Sequence, residues 1–438
     1  MTTSASYARQ EATTIVCTAG EDLGNDGLIE LVHGVESDQL LLLLSGPNRE
    51  PLIQQTIEVA GKLYKPVILP IGVAGHLHLP KKAVVCRSGG VLFEMLLRFF
   101  CDEAALPEQD SILLSGFVVA THFADCLREI PSIGIIADGE SSELPLLRIL
   151  GGVCRHALSL SGFRSDALQK LPPKLNPTLI LTQVGRRTTV IDCLRAFQTA
   201  GFAWLGGGGL ADNRCPTVIL LDENSHDDLL CLPWATIDAA TYEERPQLCF
   251  DERAVSAVAD RFQPLLLDYR VKNRQAVGKS DFDVPRFAGG PRRLARALGR
   301  CFCNDPKVQE RIMGALEDRD AAARTFRGWN IESVILEALL VLCHENKSET
   351  TPGEVCKLVN AILVKRGEVI QLTPRKIGRV LRKLNLPATR RSAGYGFTLL
   401  RDAHLAIHER ARMLDVPSMH NPLPGCEFCQ AGTTRNQT

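Results

Sequence analysis

Apolar positions recur along the chain at strand-like and helix-like spacings, and the switches between them divide it into segments. Short apolar runs separated by Gly, Pro and Asn fill 38–45 and 65–79. Of these, Leu40-Leu41-Leu42-Leu43-Leu44 and Pro66-Val67-Ile68-Leu69-Pro70 read as strands, with a helix over 51–63 between them. Val91, Leu92, Met95, Leu96, Phe99 and Phe100 then repeat at helical spacing over 90–101, and a more apolar helix covers 110–128. Next comes a buried strand, Ile133-Gly134-Ile135-Ile136-Ala137, followed by the polar turn 138–143 and a helix from Leu146. Further apolar strands end at Thr182-Gln183 and at Asp222-Glu223, and helices are expected over 190–199 and 254–273. Gly206 to Gly209 read as a turn, and Gly278-Lys279-Ser280 as a loop. A helical connector covers 291–316, and the charged run 317–324 reads as a loose boundary.

The last third is more sharply patterned. An apolar helix covers 331–345, and Thr351-Pro352 and Thr373-Pro374 each place a capping hydroxyl before a proline at the first helical position. These open helices over 352–365 and 375–384, followed by a strand-turn-strand over 385–400 and a final helix over 402–414. Three helices and a two-stranded wing follow the order of a winged helix-turn-helix. The domains expected are a flexible tail 1–26, a small strand-rich domain 27–85, an α/β domain 86–273, a helical connector 274–328, a winged-helix domain 329–416 and a tail 417–438.

Strand, tight turn and helix over 133–150 form the context in which a P-loop holds phosphate. With the C-terminal winged helix, the stretch from about 88 to 416 resembles the P-loop ATPase core of phage- and plasmid-type primase-helicase proteins. The fold class expected is therefore α/β: a P-loop ATPase-like parallel sheet core, a small strand-rich N-terminal domain and a C-terminal winged-helix domain. The resemblance implies ATP hydrolysis, a homo-oligomer such as a ring, and a link with mobile-element replication or regulation. The residues argue against hydrolysis. Laid on 137–144, the motif G-x-x-x-x-G-K-[ST] puts Ala137 and Ser142 where the glycines belong, Glu143 at the phosphate lysine and Leu144 at the magnesium hydroxyl. Thr182 and Gln183 stand where an acidic pair would hold the metal, so no nucleotide or other cofactor is expected.

Composition narrows the function classes. At 438 residues the chain has room for several cores, and its net charge of zero rules out a global field drawing it to nucleic acid or membrane. No apolar run is long enough for a membrane helix and 1–26 lacks a signal pattern, so a cytoplasmic location without membrane partners is expected. Locally the charge is far from zero. From 351 to 401 there are eleven Lys and Arg against two Glu. In the third helix Arg375, Lys376, Arg379, Arg382 and Lys383 leave Ile377, Val380, Leu381 and Leu384 for the core, and Arg390, Arg391 and Tyr395 lie on the wing. This set is the candidate DNA-binding surface.

Most of the fifteen cysteines sit in apolar patterns as small core residues. In the tail, Cys426 and Cys429 have zinc-knuckle spacing, with His420 the nearest further ligand; two or three ligands do not complete a site, so no metal is expected. The principal reading is a non-enzymatic DNA-binding protein on a degenerate ATPase-like scaffold. Two alternatives stay open: an active ATPase using Asp222 and Glu223, and an adaptor whose winged helix docks a protein.

Overall fold

A computed structural model describes residues 14–35, 39–46, 49–70, 72–136, 145–162, 171–172, 174–182, 194, 196, 204–206, 209–211, 214–221, 235–238, 251–287, 289–329, 331–365, 372–384, 386–391, 394–414, 416–420 and 423–430. The chain forms two compact units, Met1–Arg319 and Asp320–Thr438.

The first unit is mixed α/β. It opens with strands β1 (Thr14–Thr18), β2 (Gly20–Asp22), β3 (Leu28–His33), β4 (Leu40–Gly46), β5 (Arg49–Gln54), β6 (Ile57–Val59) and β7 (Lys62–Pro66). Strands β2 to β5 make an antiparallel meander, and β1, β7 and β6 a second small sheet. Helices α1 (Gly89–Arg98) and α2 (Glu108–Thr121) lead to β8 (Ser132–Ile136), α3 (Pro145–Val153), β9 (Leu158–Leu160) and β10 (Leu179–Leu181). After them come β11 (Trp204–Gly206), β12 (Gly209–Ala211), β13 (Thr217–Leu221), β14 (Ala235–Asp238), α4 (Glu252–Lys279), α5 (Gly289–Arg300) and the start of α6 (Pro306–Trp329), a helix that continues past Arg319 into the second unit. The central sheet has five strands in the order β14-β8-β13-β10-β9, all parallel.

Parallel strands are usually buried on both faces, and the side chains of this sheet divide accordingly. Ile133, Ile135, Ile180, Val218 and Ile237 join the helical core with Phe117, Phe262 and Leu298. Leu158, Leu179, Leu181, Ile219 and Leu221 instead join Ile29, Leu31, Leu42, Leu44, Ile57 and Tyr64. The N-terminal strands thus pack on one face of the central sheet and share its core.

A buried ionic cluster ties the same parts together. Glu30 on β3, 2% exposed, accepts from Arg155 Nη2 at 2.9 Å and from Arg270 Nε on α4 at 2.7 Å. Arg270 also donates to both carboxylate oxygens of Asp125, at 2.7 and 2.9 Å. Burial alone would raise the Glu30 carboxyl pKa, but the two guanidinium groups outweigh it and hold it below its ordinary value. His122 and His156 are buried beside this cluster, and desolvation lowers each to about 3. His122 Nε2 lies 3.1 Å from the Val153 carbonyl oxygen, and His156 Nδ1 lies 2.7 Å from that of Leu175.

Several expectations need correction. Strands β1 and β2 begin at Thr14, inside the stretch read as a tail. The helix expected over 51–63 is replaced by β5, β6 and β7. Ala60 and Gly61, with φ of 51° and 73°, make the two-residue turn that folds β6 back on β7. Val277 to Lys279 form the last turn of α4, with buried Val277 continuing its apolar face, so Gly278-Lys279-Ser280 is a helix end and not a loop. The boundary between the two units does fall within the charged run 317–324, after Arg319, but the run is helical and not loose, because Ala, Arg and Asp there carry no helix breaker. The expected helix at 190–199 falls almost wholly outside the described residues. Gly206 and Gly209 pair across the β11–β12 hairpin, as a turn there requires.

The second unit contains α7 (Ile331–His344), β15 (Glu349–Thr350), α8 (Pro352–Lys365), α9 (Pro374–Lys383), β16 (Ala388–Arg391), β17 (Gly394–Thr398), α10 (Arg401–Met413) and α11 (Glu427–Gln430). Its strands order as β15-β17-β16, both pairings antiparallel. Helix α7 is the centre of the core: Val334, Ile335, Leu336, Ala338 and Leu339 are fully buried with Val355, Val359, Ile377, Leu381 and Phe397.

Candidate nucleic-acid interface

The entry to α9 is fixed by side chains on α8. Asn360 donates to the Leu372 carbonyl at 3.0 Å and accepts from the Leu372 amide at 2.8 Å, so its carboxamide clamps one backbone residue from both sides. Thr373 then caps α9 by accepting from the Lys376 amide, with Pro374 in the first turn. Ile377 and Leu381 are buried one turn apart, which turns Arg375, Lys376, Arg379 and Arg382 outward, all four exposed. Gly378 is buried on the inner side of α9 beside Pro352 at the start of α8.

A groove of about 480 Å³ runs between α8, α9 and the β16–β17 ribbon. Thr351, Pro352 and Gly353 line it from the start of α8, Pro374 and Arg375 from the start of α9, and Tyr395 from the ribbon. Two helix N-termini and two arginines therefore border one space, a combination that favours anions. The Arg382 guanidinium lies 5.8 Å from the Tyr395 ring centre and donates to the Gly378 carbonyl at 3.1 Å, linking helix to ribbon. Among the predicted site residues, Arg375, Lys376, Arg379, Arg382 and Tyr395 share this surface. The side chains of Lys383, Arg390 and Arg391 lie outside the described ones, though the backbones of Arg390 and Arg391 pair with Tyr395 and Gly394.

The positions laid on the nucleotide motif fare differently. Ala137, Ser142, Glu143 and Leu144 lie outside the described residues, as do Gln183, Asp222 and Glu223. Thr182 follows β10, its amide bonded to the Leu160 carbonyl at 3.1 Å and its hydroxyl 3.4 Å from the same oxygen. Strand β13 lies between β10 and β8, and Leu221 pairs with Ile136, the last residue of β8.

One group of residues was only half visible in the sequence. Cys426 and Cys429 are joined by His344, at the end of α7, and His408, on α10. The four ligand atoms lie within 4.8 Å of one another. His344 Nε2 is 3.2 Å from His408 Nε2 and 3.3 Å from Cys429 Sγ, and Cys426 Sγ is 3.5 Å from His408 Nε2. His420 is not among the four. Burial lowers the pKa of both imidazoles and raises that of the Cys429 thiol. The missed signal was non-local, because no spacing rule links His344 to cysteines more than eighty residues on.

No family model matches the sequence, and no curated protein matches it. Solved structures similar to the chain include the A form of the apo C-terminal region of NrS-1, with 12% identity over 85% of this chain and 97% of that one at a TM-score of 0.33. Drosophila ORC bound to DNA is similar with 13% identity over 70% of this chain and 87% of that one, at a TM-score of 0.20. These likenesses are too loose to assign the chain to a family. No helix among the described residues is long and apolar enough to cross a membrane.

Proposed function

We propose that the chain is a DNA-binding protein whose C-terminal unit is a winged helix, with α9 facing the major groove and the β16–β17 ribbon serving as the wing. The observation that carries this reading is the outward set Arg375, Lys376, Arg379 and Arg382 beside a groove bordered by two helix N-termini. The parallel-sheet unit then acts as a P-loop-like scaffold without hydrolysis, since the sequence puts Glu143 at the phosphate lysine. The test is fluorescence anisotropy with a labelled duplex, with and without ATP and magnesium. Binding that weakens with salt and ignores ATP is expected; absence of binding at low salt overturns the proposal and favours protein docking by the same unit.

One observation favours a second reading. In open parallel sheets ligands bind beyond the carboxyl ends of strands where the connections reverse direction. Here the chain leaves β8 toward β9 on one side, and leaves β13 toward β14 on the other. The sequence positions Asp222-Glu223 follow β13 directly, next to the strand that leads into 137–144. ATP hydrolysis abolished by Asp222→Asn would establish this reading; no phosphate release from the wild type removes it.

A further inference from the structure

We infer that His344, His408, Cys426 and Cys429 form a structural zinc site that fastens the C-terminal segment to the second unit. Zinc sits about 2.0–2.1 Å from imidazole nitrogen and about 2.3 Å from thiolate sulfur in a tetrahedron. Those bond lengths place two nitrogens about 3.3 Å apart and a nitrogen and a sulfur about 3.6 Å apart. Three separations here, 3.2 Å between nitrogens and 3.3 and 3.5 Å between nitrogen and sulfur, are those of a ligand shell, and all four atoms lie within 4.8 Å of one another.

The surroundings orient the ligands. His408 Nδ1 lies 2.7 Å from the His404 carbonyl oxygen and can bond it only as a donor, which leaves the Nε2 lone pair facing the other three ligands. Phe428, between the two cysteines, packs its ring 5.5 Å from that of His408 and 5.8 Å from that of His404. Arg412 holds the Phe428 carbonyl at 2.5 Å. Gly425, with φ of +92°, makes the turn that delivers Cys426. Two nitrogens and two sulfurs select zinc over magnesium or calcium, and four protein ligands leave no open position for a substrate. On binding, both thiols give up their protons to solvent and the site becomes electrically neutral.

The experiment measures zinc in the purified full chain by mass spectrometry of the elements, after dialysis without chelator. About one zinc per chain is expected, lost in Cys426→Ser/Cys429→Ser and in His344→Ala, and kept in His420→Ala and Cys17→Ser. Because a ligand variant that misfolds would also lose metal, cobalt is added to chelator-stripped wild type as an independent arm. A tetrahedral cobalt spectrum with a thiolate charge-transfer band is expected, together with slower hydrogen exchange over 423–430. Wild type that holds neither zinc nor tetrahedral cobalt, a Cys426–Cys429 disulfide in its place, or zinc retained by the double cysteine variant would overturn the inference.

Discussion

The sharpest prediction concerns Arg375→Ala/Arg379→Ala. The two side chains lie one turn apart on the exposed face of α9, while Ile377 and Leu381 are buried and Val380 packs against the same core, so the double variant should keep its fold. Each phosphate contact contributes about 0.9 to the slope of log affinity against log salt. Removing two contacts should therefore flatten that slope by about 1.8. The same release of counterions, evaluated at about 0.15 M salt, corresponds to a loss of affinity of about thirtyfold. The assay is anisotropy of a labelled random duplex over about 50–300 mM salt, with circular dichroism as a control for folding. A thirtyfold loss with an unchanged slope would mean that the arginines act through something other than phosphates. An unchanged affinity would remove α9 from the interface altogether.

Three further outcomes follow from the geometry. Tyr395→Ala removes the ring beneath Arg382, an interaction of about 0.5–1 kcal/mol, and should weaken duplex binding two- to fivefold in the same assay. Glu30→Gln leaves Arg155 and Arg270 buried without their shared carboxylate and should destabilise the first unit by about 3–5 kcal/mol in urea unfolding; a change below about 1 kcal/mol would refute the bridging role. His122 and His156 stay neutral in the fold down to about pH 3, whereas in the unfolded chain they take up protons near their ordinary value. Their contribution is therefore intact above about pH 6.5 and falls as the pH drops from there toward about 3, by about 2 kcal/mol per histidine at pH 5. Urea midpoints at pH 7 and 5 check this, and His156→Asn should reduce the difference.

Legibility in the sequence followed locality. Thr351-Pro352 and Thr373-Pro374 mark the starts of α8 and α9 because caps act within one turn. The runs at Ile133, Leu179 and Val218 were legible as buried strands because they are continuously apolar, while their parallel arrangement was implied by the resemblance to a P-loop ATPase core. What could not be read was whatever needed distant segments to meet. Nothing in the sequence singles out Glu30, and only the fold sets it against Arg155 and Arg270. His344 lies in the helix read over 331–345, and nothing local links it to Cys429, which the fold brings beside it. At 51–63 a short mixed apolar and polar run fits a helix as well as strands, and at 277–280 a Gly-Lys-Ser triplet fits a loop as well as a helix end.

The packing of β3 and β4 on the central sheet also sets an order in time. Leu42 and Leu44 leave the ribosome more than a hundred residues before Leu158, Leu179 and Ile219, the surface that buries them. For that interval the nascent chain carries a leucine ribbon covered only by its N-terminal neighbours such as Ile57 and Tyr64, an apolar surface open to chaperones. The same dependence works in reverse. A fragment trimmed to start near Ser88 would leave Leu179, Leu181, Ile219 and Leu221 without their lid, and should precipitate where the full chain stays in solution.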